Sequence, residues 1–131
     1  MMLNFIPVQV VALAQLIMAA GSAHFWIKWF RSEHDQPWQP AGYIEHERCF
    51  VYPDAVMSLL MIISAVLLFL GIPLGERLSL VCGGMMLFLT IIDIAYFKQN
   101  SMFDKDKGGK ENISLVIPMV VMSLLMILRF I

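Results

Sequence analysis

Four apolar runs decide what this chain can fold into. They occupy residues 3–27, 55–72, 78–97 and 113–131, and the second contains no charged side chain. Each approaches or exceeds the roughly 18–20 residues that a helix needs to cross a bilayer. Membrane strands alternate apolar and polar positions over segments of about ten residues, a pattern absent here. The fold class is therefore all-α: an integral membrane four-helix bundle with connections at 28–54, 73–77 and 98–112. The 131 residues leave room for a single domain. The hydrophobic fraction of 60 % lies well above the ~45–50 % of soluble domains, which could not hide so much apolar surface.

The first run contains Ala20-Gly21-Ser22-Ala23, which looks like a signal-peptide cleavage site. No Lys or Arg precedes it, and the run is longer than the usual apolar core of about 7–15 residues, so it is read as a retained helix. Lys28, Arg31 and Arg48 flank or occupy the first connection, and Lys98, Lys105, Lys107 and Lys110 the third. Only Arg77 and Arg129 stand at the other side. The positive-inside rule then places the two longer loops in the cytoplasm and both termini outside, in a cell inner (plasma) membrane. Pro73 and Gly75 make the second connection a tight turn, so the second and third helices form a hairpin. The third connection, with mixed charges and Gly108-Gly109, reads as a flexible, solvated loop.

A net charge of −1 with no concentrated basic face excludes nucleic acid as a partner. Cys49 falls in the first connection and Cys82 inside the third helix, too far apart for the roughly 7 Å that a disulfide allows. Neither lies in a CxxC or CxxH spacing, and no metal site or cofactor is expected.

The polar residues carry more information. Asp93 lies inside an apolar run, where a charge costs roughly 3 kcal/mol on insertion scales and must face protein or water. At heptad spacing, Asp54, Met57, Met61, Ser64, Leu68 and Gly71 share one stripe of the second helix. Gly83, Met86, Thr90, Asp93 and Phe97 share one stripe of the third. Small and polar residues favour helix interfaces in lipid, so both stripes are expected to face the interior. Counting 1.5 Å per residue puts Asp93, Asp54 and His24 within a turn or two of the basic rim, with Tyr96, Tyr52, Asn112 and Ser114 at that level. The expected site is a pocket at the cytoplasmic rim built from Asp93, Asp54, His24, Tyr96, Thr90 and Ser64. A buried acid beside a histidine makes proton exchange feasible there.

The first connection also holds His34, Glu45, His46, Glu47 and Cys49, all metal-capable types. Their spacing matches no ligand motif, and the segment reads as an interfacial stretch anchored by Trp38, Tyr43 and Phe50. Whether residues 31–53 cap the pocket or lie on the membrane is left open by the sequence.

Tyr52-Pro53-Asp54 opening the second helix, then Ser64 and Gly71, with Asp93-Ile94-Ala95-Tyr96-Phe97 closing the third, resembles small bacterial four-helix membrane proteins of the YvaD-like kind. The resemblance covers the central hairpin and implies a four-helix bundle, with no activity to carry over. In architecture alone the chain is similar to the emopamil-binding and sigma-2 group, whose four-helix units place acidic residues in a ligand cavity. No role passes from that group to Asp54 or Asp93.

The function expected from these residues is binding of a small amphipathic or cationic ligand, or of a partner helix, at the rim pocket. The partners are the lipid bilayer, a small-molecule or lipid ligand, and a second copy or larger membrane complex. A small proton-coupled transporter is the alternative, although its essential acid would ordinarily sit near the midplane. A lipid-modifying enzyme using Asp93 or His24 as acid or base is a third class. It lacks any nucleophile elbow or phosphate-binding loop.

Overall fold

The structure, a computed structural model, describes residues 2–31 and 36–131. His34 of the first connection lies outside them. The order of elements is α1 (Val8–Arg31), α2 (Tyr43–Arg48), α3 (Val51–Phe69), α4 (Leu74–Gln99), a 3₁₀ turn (Lys105–Lys107) and α5 (Gly109–Phe130). Four helical segments of 22 to 27 residues are long and apolar enough to cross a membrane, the second being α2 and α3 together, Tyr43–Phe69. At 1.5 Å per residue they reach roughly 33–40 Å, against a hydrocarbon thickness of about 30 Å. Large apolar side chains such as Phe88, Val121, Leu59 and Ile17 remain more than half exposed around the outside, as lipid requires and water would not allow.

The boundaries shift by a few residues at every helix, α4 starting at Leu74 and α5 at Gly109 rather than 78 and 113, and three of the shifts have a clear cause or consequence. Pro7 holds α1 back to Val8, its carbonyl accepting from the Val10 and Val11 amides. At the other end α1 runs on to Arg31, carrying Trp26 and Trp29. The second crossing starts well before residue 55. Pro53 lies in the first turn of α3, where its missing N–H is tolerated, but it cannot donate to the Cys49 carbonyl. The helix breaks only at Cys49 and Phe50, both of which keep right-handed helical angles.

The helices pack around a ring in the order α1, α3, α4, α5, and of the neighbouring pairs α1 and α5 touch least. The core is rich in methionine, with Met57, Met61, Met86, Met122 and Met126 buried beside Val11, Ala12 and Ala65. All five residues of the expected α4 stripe are buried, as are Met57, Met61, Ser64 and Leu68 of the α3 stripe. Gly71 instead turns outward at the end of α3, with φ of +70°.

A polar knot ties α1, α3 and α4 together. Gln15 Nε2 donates to the Met61 carbonyl at 3.1 Å, and Ser79 Oγ donates to Gln15 Oε1 at 2.6 Å. Ser64 Oγ donates to the Gly75 carbonyl at 2.7 Å and lies 2.8 Å from Ser79 Oγ. Two hydroxyl protons serve three oxygen contacts, so two of the three are made at once. Gln15, Ser64 and Ser79 are all fully buried. In lipid such side-chain bonds supply part of the association energy that burial supplies in water.

The third connection is folded rather than loose. Met102 is fully buried, and its carbonyl accepts from Asn112 Nδ2 at 2.7 Å. Gly108 takes φ of +73°, and the Trp38 ring lies so close that an added Cβ would meet it at 2.7 Å. The charges of residues 104–107 point outward from this small core. At the opposite rim Arg129 Nε donates to the Ile6 carbonyl at 2.8 Å. The chain segments flanking α1 and α5 are thus joined at both ends.

Neighbouring glycines of α4 offer a test of the packing. A Cβ on Gly83 would meet Ile127 Cγ1 at 2.9 Å and the Ser123 carbonyl at 3.2 Å, whereas one on Gly84 would meet nothing within 4 Å. Gly83→Ala is expected to destabilise the α4–α5 contact by about 1–3 kcal/mol, the usual penalty for overpacking. Gly84→Ala should be neutral or slightly stabilising, since alanine is the better helix former. Unfolding by sodium dodecyl sulfate titration, followed by circular dichroism, separates the two.

Candidate functional site

A cavity of about 300 Å³ lies where α1 and α5 part. Gly21 and Ser22 of α1 and Ser114 and Pro118 of α5 line its mouth, while α3 and α4 supply its back wall. Gly21, Ser114 and Pro118 are exposed, so the opening faces sideways, out of the bundle. Its walls are mainly thioether and aromatic: Met18, Met57, Met61, Met86, Met119 and Phe25. Pro118 gives no N–H to the Ser114 carbonyl, so α5 lacks one helical hydrogen bond between two residues that line the cavity.

Three carboxylates line the same cavity: Glu47, Asp54 and Asp93. Asp93 is 6 % exposed and its Oδ1 has no hydrogen-bond partner. Glu47 is 4 % exposed and its Oε2 has none either. Asp54 is half-buried, and its Oδ2 accepts from Trp26 Nε1 at 2.9 Å. The three acids lie near enough for each charge to act on its neighbours, and among the described residues no Lys or Arg offsets them. A buried carboxylate oxygen with no donor is expensive, because burial removes the water that would otherwise solvate it.

Local structure explains how these groups converge. Asp93 is one turn before Phe97 on the buried stripe of α4. Glu47 stands seven residues before Asp54, two turns back along almost continuous helix, and so shares the stripe of Asp54, Met57 and Met61. Beside Glu47, the His46 ring stacks on Tyr96 with centroids 3.8 Å apart and planes inclined by 8°. His46 Nε2 is also buried without a partner.

The residues singled out from sequence fall into three groups. Asp93 and Asp54 line the cavity, and Tyr96 stands beside it through its stacking on His46. Thr90 is buried within α4 and donates to the Met86 carbonyl at 2.6 Å, while Ser64 belongs to the polar knot. His24 is exposed on the outer side of α1 and is not part of the cavity wall. Of the other residues expected at this level, Ser114 reaches the mouth, Asn112 is committed to Met102, and Tyr52 is 74 % exposed. Sequence spacing reads Glu47 and His46 as part of an interfacial segment, yet they supply two of the site's three unpartnered atoms, Asp93 Oδ1 being the third. The signal that finds Glu47 is the heptad of α3 carried back past Pro53.

Tyr43–Arg48 packs on the bundle rather than lying apart from it. Tyr43 packs with Phe97, Met102 and Val116, which seats α2 over the end of α4 and α5.

No family model, curated protein or solved structure matches this chain.

Proposed function

We propose that this chain is a multi-pass membrane protein that binds a small amphipathic molecule through the gap between α1 and α5. The observation that carries the reading is the pair of buried carboxylates, Glu47 and Asp93, each with an unpartnered oxygen, on the wall of an otherwise apolar cavity that opens sideways. A slender apolar body suits the methionine-lined wall. A cationic head suits the acids, because an ammonium group supplies both the positive charge and the donors they lack. Thioether side chains adapt to varied apolar shapes, which favours a ligand class over one rigid molecule.

Binding is tested with the full chain in nanodiscs of zwitterionic lipid, using tryptophan fluorescence because Trp26 contacts Asp54. Dodecylammonium, whose primary head carries three N–H donors, is expected to give a saturable change that dodecyl sulfate does not. Asp93→Asn should weaken it about tenfold, equivalent to about 1.4 kcal/mol. Gly21→Phe should abolish it, since Gly21 lines the mouth and has open space beside it. Binding unchanged in both variants overturns the reading.

The same proposal includes the orientation set by the basic residues, with the acidic end of the cavity at the cytoplasmic face and both termini outside. Asp106 is exposed in the third connection, outside the spanning segments. With Cys49→Ser and the buried Cys82 kept, an Asp106→Cys chain is expected to react with a membrane-impermeant maleimide in inside-out vesicles and not in intact cells. The reverse pattern would invert the topology.

A further inference from the structure

We infer that His46, Glu47 and Asp93 form a binding site for a divalent transition-metal ion at the acidic end of the cavity. Each of the three offers one ligand atom, and these atoms all lie within 4.8 Å of one another. Three separate facts make this more than a cluster of acids. Glu47 and Asp93 are 4 % and 6 % exposed, and Glu47 Oε2 and Asp93 Oδ1 have no hydrogen-bond partner. His46 Nε2 is likewise buried and unpartnered. The donors come from two elements, α2 and α4, held in register by the stacking of His46 on Tyr96.

The donor set narrows the ion. One imidazole nitrogen and two carboxylate oxygens suit Zn²⁺ and Mn²⁺ better than the soft ions that prefer thiolates. Zinc holds such ligands at about 2.0–2.2 Å, which puts neighbouring donors ~3.3 Å apart in a tetrahedral site. Rotation of the two carboxylates closes the remaining gap. Two carboxylates and a neutral imidazole balance a divalent charge, removing the repulsion between Glu47 and Asp93. Asp54, engaged with Trp26, adds a third negative charge nearby. Three protein ligands leave at least one coordination position, and Glu47 and Asp93 both line the cavity wall. An ion here would compete with an ammonium head for the same carboxylates. The site therefore rests on the same acidic wall as the amphiphile reading but requires the imidazole in addition.

His46→Phe separates the two, because phenylalanine keeps the stack on Tyr96 and removes both ring nitrogens. The full chain in nanodiscs, stripped with a chelator, is titrated with Mn²⁺ and the free ion followed by electron paramagnetic resonance. Zn²⁺ is then used as a competitor. The expected result is one equivalent bound per chain and displaced by Zn²⁺. Loss of an outer-shell partner alone weakens metal sites by ~10–100-fold, so His46→Phe, Glu47→Gln and Asp93→Asn should each cost at least ~10-fold. Glu45→Gln, on the exposed side of α2, should cost nothing. Dodecylammonium binding should survive His46→Phe and fall with Glu47→Gln. Helical circular dichroism identifies any variant that has not folded, and the remaining variants then carry the test. The metal site is overturned by wild-type protein that takes up no stoichiometric Mn²⁺ or Zn²⁺, or by uptake that His46→Phe and the folded carboxylate variants leave unchanged. Metal uptake without amphiphile binding would keep the site and remove the ligand reading. The converse would do the opposite.

Discussion

Lipid gives these helices little reason to associate, since their apolar faces are as well solvated by acyl chains as by one another. What holds α1, α3 and α4 in one arrangement is the buried contact set of Gln15, Ser64 and Ser79 with the Met61 and Gly75 carbonyls. Each donor has no solvent alternative, so the hydrogen bonds fix register as well as proximity. The close approach at Gly83 performs the same task between α4 and α5 by admitting backbone instead of side chain. Everything about the cavity follows from the pairs these contacts leave out. α1 and α5 have neither device along most of their length, and they part.

The acidic end is the other consequence of a dry environment. In water three clustered carboxylates would be ordinary. Beside a methionine-lined wall, with no Lys or Arg opposite them among the described residues, they constitute an unmet demand for positive charge. The demand is local, confined to the ends of α2, α3 and α4, while the polar knot nearer the opposite rim is internally satisfied. One bundle thus contains two buried polar regions of opposite character. The saturated one maintains the fold, and the unsaturated one is where a ligand would gain most from binding.

How far the sequence revealed this can be argued residue by residue. Asp93 was legible because a lone carboxylate in twenty apolar residues has few explanations. Its stripe through Gly83, Met86, Thr90 and Phe97 was legible because one helix face recurs at fixed spacing. Glu47 was hidden by Pro53, which looked like the start of a helix when it is only a break in one. His24 shows the limit of counting depth: it lies two residues from Trp26, roughly 200° around α1, so level did not imply direction. The folded third connection escaped because its charges outnumber Met102 and Asn112, the two residues that organise it. The proximity of His46 to Asp93 joins residues far apart in sequence, and only packing could bring them together.

The two couplings that flank α1 and α5 give the gap a mechanical character. Arg129 holds the Ile6 carbonyl at one rim, and Trp38 rests on Gly108 at the other. Arg129 ties α5 to the segment before α1, and Trp38 belongs to the connection after it, so the two contacts bound the gap at its ends. Between them Gly21-Ser22 and Pro118 line the mouth, and such residues are where helices bend most easily. Such an aperture is a slit of nearly fixed length and variable width. Under the proposed amphiphile binding, such a slit would admit a thin chain from the side more readily than a bulky one. The selectivity of the mouth and that of the acidic wall would then be independent filters in series, one geometric and one electrostatic.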